Sequence, residues 1–107
     1  QEIEHAIMVA NLGFNPMNNG ESIIINVPAL TEERRKELAK QAKSEAEDAK
    51  ISIRSSRKEA NNEVKKLNDI SEDLKKNTET DIQEMTDIFI KKADEIFNSK
   101  EKEILTV

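Results

Sequence analysis

Arg54, Arg57 and Lys58 stand close together in a stretch without glycine or proline. If that stretch is helical, spacings of three and four residues put all three side chains on one side. Arginine presents a planar fork that holds a phosphate through two hydrogen bonds. None of the three has an Asp or Glu three or four positions away on either side. Local ion pairs therefore cannot occupy them. Lys36, Lys43, Lys50 and Lys65 lie in the same angular band, with Lys40 and Lys58 at its edge. The band runs along roughly 40 Å of helix, a length that suits a phosphate backbone better than a small ligand. Three Phe and no Trp or Tyr give no platform for stacking single-stranded bases. Structured RNA, read by shape and phosphate, is the better variant.

From pattern alone the plainer reading comes first: a solvated helix laced by pairs of opposite charge. Glu32–Lys36, Glu37–Lys40, Lys43–Glu47 and Glu47–Lys50 have the spacing for it. Two function classes follow: an RNA-binding factor, and a helical structural or protein-interaction module without RNA. A salt-dependent affinity for RNA separates them.

Other chemistry finds little to work with. Cysteine is absent, which excludes disulfides, thiolate metal sites and thiol nucleophiles. His5 is the sole histidine, without a nucleophile or ligand partner nearby. Asp69, Glu72 and Asp73 lack the spacing and glycine of a calcium loop and read as helix-capping residues. No glycine-rich phosphate loop or Ser/His/Asp set is present. The expectation is no enzyme, no cofactor, no metal and no small-molecule substrate. No apolar run approaches the roughly 20 residues that span a bilayer, and no signal-peptide pattern opens the chain.

The elements that position the basic band follow from 107 residues, a net charge of −5, and only two Gly and two Pro. Such a composition favours long helices. The net sign hides a basic middle segment, residues 31–67, between two acidic flanks. Ile3, Ala6, Ile7 and Ala10 predict a short helix, with Gly13 as its stop. Asn18-Asn19-Gly20 is turn chemistry, and the β-branched run Ile23–Val27 reads as a strand. The partners of that strand are expected upstream of Gln1 or in another molecule. Thr31 stands as an N-cap with Glu32 and Glu33 after it, opening a helix to about Leu67. Asp69 or Ser71 caps a second helix to about Ile104, with a weak spot at Asn77-Thr78 that could delay its start to near Thr80.

Leu38, Ala42, Ala46, Ala49, Ile53, Ala60, Val64 and Leu67 form the predicted stripe of the first long helix. Ile82, Met85, Phe89, Ala93, Ile96 and Ile104 form that of the second, widened by Ile88 and Phe97. Two helices bury one seam, so a third helix or self-association is required to cover the remaining apolar face. The chain does not begin with Met and reads as starting mid-element, so a processed or truncated product is expected.

Leu30-Thr-Glu-Glu-Arg-Arg-Lys-Glu-Leu38 resembles the bacterial ribosome recycling factor family. So do Glu45-Ala-Glu-Asp-Ala-Lys-Ile-Ser-Ile-Arg-Ser-Ser-Arg-Lys-Glu-Ala-Asn61, Ile70-Ser-Glu-Asp73, Ile82-Gln, Thr86-Asp87 and the ending Lys100-Glu-Lys-Glu-Ile-Leu-Thr-Val107. Upstream, Ala6-Ile-Met, Leu12-Gly-Phe-Asn-Pro16 and Gly20 are similar to the end of its small β domain. The resemblance implies a mainly α fold: two long antiparallel helices of an elongated three-helix bundle, plus the remnant of a small α/β domain. Residues 1–28 would be that remnant and residues 29–107 would be bundle helices two and three. The first bundle helix and most β strands would be missing. The hinge would include Val27, Pro28 and Ala29, the last standing where the family often carries a second proline.

The resemblance further implies a cytoplasmic translation factor. It would bind the post-termination ribosome, mainly large-subunit rRNA, and split the subunits with elongation factor G. The family's RNA-facing arginines map onto Arg35, Arg54 and Arg57, with Lys58 where many relatives carry Arg. Lys50 joins these candidates from the basic band. Arg35 lies outside that band, at the hinge end of the helix.

Overall fold

A computed structural model describes every residue from Gln1 to Val107. The backbone divides into two compact units, Gln1–Thr31 and Glu32–Val107. The first contains α1 (Glu2–Val9), β1 (Pro16–Asn18) and β2 (Ile23–Ile25). The second contains α2 (Glu32–Lys66) and α3 (Glu72–Leu105).

In the first unit α1 packs on β1. The residue that turns the chain out of α1 is Asn11, at φ 52°. It stands two positions before Gly13, the stop expected from the sequence. Asparagine tolerates the left-handed region, so it can take over a glycine's terminal role. The strand Ile23–Ile25 also departs from expectation, because its partner lies within the chain. Pro16 pairs with Ile25, Met17 with Ile24 and Asn18 with Ile23, antiparallel. Pro16 masks this strand in the sequence. At the first position of an edge strand, however, its missing N–H costs no ladder bond. The turn between the strands is held by side chains. Asn19 Oδ1 accepts from the backbone N–H of Glu21 at 3.0 Å and of Ser22 at 2.8 Å, while Asn18 Oδ1 accepts from Gly20 at 2.8 Å. Gly20, at φ 92°, adopts the backbone that favours glycine.

In the second unit α2 runs 35 residues, with Glu32 and Glu33 in its first turn and Lys65 and Lys66 in its last. Both ends suit the helix dipole. Ser71 opens α3: its Oγ accepts from the Leu74 N–H at 3.1 Å. The helix therefore starts at Glu72 and not near Thr80. The weak spot is bridged, since the Thr78 hydroxyl donates to Leu74 O at 2.8 Å and the Thr80 hydroxyl to Lys76 O at 3.0 Å. Both threonines thus satisfy their hydroxyls without interrupting the helix.

The two helices are antiparallel, with Arg35 opposite Ile104, Lys50 opposite Asp94 and Arg57 opposite Gln83. Leu38, Ala42, Ala46, Ile53, Ala60 and Val64 line the seam from α2 as expected. Ala49 and Leu67 do not; both are exposed, and Lys50 and Arg57 occupy seam positions instead. On α3 the seam is Thr78, Ile82, Thr86, Ile90, Ala93, Phe97 and Ile104. Met85, Phe89 and Ile96, predicted for the seam, are 61 %, 48 % and 71 % exposed. A helical period defines an apolar sector but not which half of it meets the neighbour. Here the sector is wide, and one edge of it stays open. In this unit only Val64 and Thr86 are buried, and neither completely, as a single seam between two helices dictates.

Candidate nucleic-acid interface

The five sequence candidates on α2 have different surroundings. Arg35 is half-buried, and its Nη1 donates to Ile104 O at 2.7 Å and to Thr106 O at 2.8 Å. The last carbonyls of a helix lack intrahelical donors and carry the negative end of its dipole, so a guanidinium is well matched to them. Arg35 therefore caps α3 from across the hairpin.

Lys50 is also engaged. Its side chain is only 14 % exposed, with Nζ 2.8 Å from Asp94 Oδ1 and 3.1 Å from Glu47 Oε1. The hydrogen bond to Asp94, then the one to Glu47, holds its amine above the usual lysine range. Glu47 thus takes Lys50 as its partner, and Glu37 takes Arg34, at 3.0 Å. The pair Glu32–Lys36 forms at 3.6 Å, as its spacing predicts.

Arg54 and Lys58 are exposed and make neither a hydrogen bond nor an ion pair. Arg57 is half-buried, and its guanidinium reaches Gln83 Oε1 only at 3.4 Å. These three and Lys65 line one shallow depression together with Asn61 and Asn62, and no carboxylate lines it. Charge at this spot is uncompensated by the protein. The two asparagines are additions that charge patterning alone does not reveal. They follow only once the helical phase of the arginines is extended by one turn. Next to this depression runs an apolar groove of about 380 Å³, with Ile53, Ala60, Ile82, Met85 and Phe89 among its walls. Arg57 lines both features. Its stem can thus lie on apolar surface while its charged head reaches the depression.

Val27, Pro28 and Ala29, the hinge candidates, are exposed and belong to neither helix nor strand. They lie just before the boundary between the two units. No helix is long and apolar enough to cross a membrane.

A sequence profile described as ribosome recycling factor matches residues 1–105. The chain belongs to the ribosome recycling factor family. It is 64 % identical over 106 residues to the ribosome-recycling factor of Christiangramia forsetii, covering 99 % of this chain and 57 % of that protein. It is 61 % identical over 109 residues to that of Flavobacterium johnsoniae, covering 100 % and 58 %. With that of Clostridioides difficile the identity is 50 % over 109 residues, covering 99 % and 59 %. The chain thus spans less than two thirds of the length of these ribosome-recycling factors. Within this family, Arg54, Arg57 and Lys58 are the candidates whose charge the fold leaves available.

Proposed function

We propose that this chain acts in ribosome recycling by binding large-subunit rRNA through Arg54, Arg57 and Lys58. The observation that carries the reading is the depression on α2, lined by four cationic side chains and no acidic one. Phosphates are the natural complement of such a surface, and a guanidinium fork holds them in fixed orientation. Lys50, and Arg35 at the far end of α2, contribute less to contact, because their charged groups already have partners within the protein.

In this reading residues 29–107 supply two helices of a three-helix bundle, and residues 1–28 belong to a small α/β domain. Val27, Pro28 and Ala29 join them. The third helix comes from the length of the relatives that this chain does not span, and it covers the apolar groove between α2 and α3. The factor works with elongation factor G in the cytoplasm to separate the ribosomal subunits, without covalent chemistry of its own.

The test is binding of the full-length protein to large subunits at several salt concentrations, with subunit splitting followed by light scattering in the presence of elongation factor G. The proposal requires an affinity that falls steeply with salt, and splitting that depends on the arginines. Salt-independent binding, or splitting unaffected by loss of Arg54 and Arg57, would favour a helical protein-interaction module.

A further inference from the structure

We propose that Lys50 is a positioning residue whose ion pair with Asp94 selects the register of α2 against α3, and so sets Arg57 beside Gln83. The apolar seam does not select it. Alanines at 42, 46 and 60 face Ile82, Ile90, Ala93 and Phe97 on α3, all half-buried. Contacts of this kind are non-directional, and a slide of one helix along the other can re-form them. Lys50 is different. It is a charged group placed in the seam, and its partner on α3 is Asp94.

Consider α3 shifted by one turn. Ile90 or Phe97, with apolar side chains, then stands where Asp94 stood. The Lys50 amine stays in the seam without its cross-helix carboxylate. It keeps only Glu47, on its own helix, and loses the shorter of its two ion pairs while its side chain stays largely shielded from water, which disfavours the charged amine in that register. The gain is therefore specificity: wrong registers are raised in energy while the right one is little lowered.

A shift of two turns (about seven residues) would bring Asp87 or Glu101 opposite Lys50, so this pair alone does not exclude it. Arg35 does. In one direction its guanidinium would pass beyond the last turn of α3. In the other it would face the helix interior, where carbonyl oxygens are already bonded along the helix. The last four carbonyls of α3 lack intrahelical donors, so a slide of one turn can still offer Arg35 an acceptor, whereas a slide of two turns takes all of them out of its reach. The two cations whose charge is spent internally thus divide the task, one against small slips and one against large slips.

The register inference is independent of what Arg54 and Arg57 bind, so its failure and that of the recycling proposal are separable. The chain has no cysteine, which makes site-specific labelling direct. Nitroxides on Ser44→Cys and Glu84→Cys, both at exposed positions on opposite helices and offset along the axis, report the slide by pulsed electron paramagnetic resonance. In the full-length protein the parent should give one narrow distance. Lys50→Met keeps the length and removes the charge, so it should stay folded and gain a second distance displaced by about 5 Å, one helical turn. The exchange Lys50→Asp with Asp94→Lys should restore the single distance. A role in stability alone would lower the melting temperature of Lys50→Met and leave one unchanged distance, which overturns the proposal. If Lys50→Met does not fold, the charge exchange decides: several distances in that variant overturn it equally.

Discussion

The Arg35 guanidinium lies 2.7 Å from the carbonyl oxygen of Ile104, so the first turn of α2 holds the last turn of α3. These residues are 69 positions apart in sequence. Charge-assisted bonds to carbonyls contribute roughly 1.5–3 kcal/mol each when sheltered, and less when one acceptor is open to water. The Thr106 carbonyl is exposed. Arg35→Met should therefore cost about 1–2 kcal/mol. The loss should be local: amide exchange should accelerate at Ile104–Thr106 with little change near Ile82. Urea unfolding with hydrogen-exchange mass spectrometry measures both. Uniform acceleration along α3 would contradict a local cap.

Lys50 gives a pH prediction. Its folded value lies above the ordinary 10.5 because the Asp94 and Glu47 carboxylates favour the charged amine. The contribution is fully present below pH 10.5, the unfolded value, and is lost as pH rises through the higher folded value. Stability of the parent should therefore fall relative to Lys50→Met as pH rises from about 10 to about 12. Urea midpoints for the two proteins, taken side by side, isolate this lysine from the others. A constant difference across that range would show that the pair does not hold the proton.

How much of this was legible in the sequence differs from element to element. Both long helices were, because an absence of Gly and Pro between Glu32 and Leu67 and a Ser71 cap are local signals. The strand Pro16–Asn18 was not. Its proline argues against a strand, and only the pairing with Ile23–Ile25 supplies the reason for one. The lack of local carboxylates around Arg54, Arg57 and Lys58 was legible, and none of the three has an ion pair. The internal engagement of Arg35 and Lys50 was not, because their partners lie on the other helix. Residues 69 and 44 positions away leave no periodic trace.

The open side of the hairpin gives a third test. Met85, Phe89 and Ile96 are exposed on α3, and Lys92 Nζ lies 5.0 Å from the centre of the Phe89 ring. An uncovered apolar face of this kind drives association. The 107-residue chain should self-associate, and Phe89→Asp should shift it toward monomer. Because Phe89 lies outside the α2–α3 seam, the change should alter the hairpin's own stability by less than about 1 kcal/mol. If a third bundle helix covers this face, as proposed above, the same substitution in a chain of the relatives' full length should destabilise by roughly 3 kcal/mol, through an unpaired charge placed beneath that helix. Sedimentation equilibrium and chemical unfolding of both forms supply the four numbers. Equal effects in both forms would mean that no helix covers this groove.

The last prediction concerns the basic depression. Arg54→Ala and Arg57→Ala in the full-length protein should each weaken binding to large ribosomal subunits. Each arginine removed from a phosphate contact should lower the slope of log affinity against log salt by about 1. The two variants should differ in stability. Arg54 has no partner in the protein, so its removal should leave the fold unchanged within about 0.5 kcal/mol. Arg57 is half-buried and lines the apolar groove, so its removal also strips packing from Ile53 and Ala60. Arg57→Met keeps much of that stem and separates packing from charge. Glu59→Ala and Glu63→Ala act as the control, since both lie on the other side of α2 and neither lines the depression. Glu63 pairs only with Lys66, at 3.6 Å, on the solvent side, where such pairs contribute little. Removing either acidic residue should leave the binding slope as it was. Ribosome pelleting across a salt series, with circular dichroism on each variant, reads all of these. Folded arginine variants with unchanged affinity and slope would reduce the cationic depression to a solvated helix face.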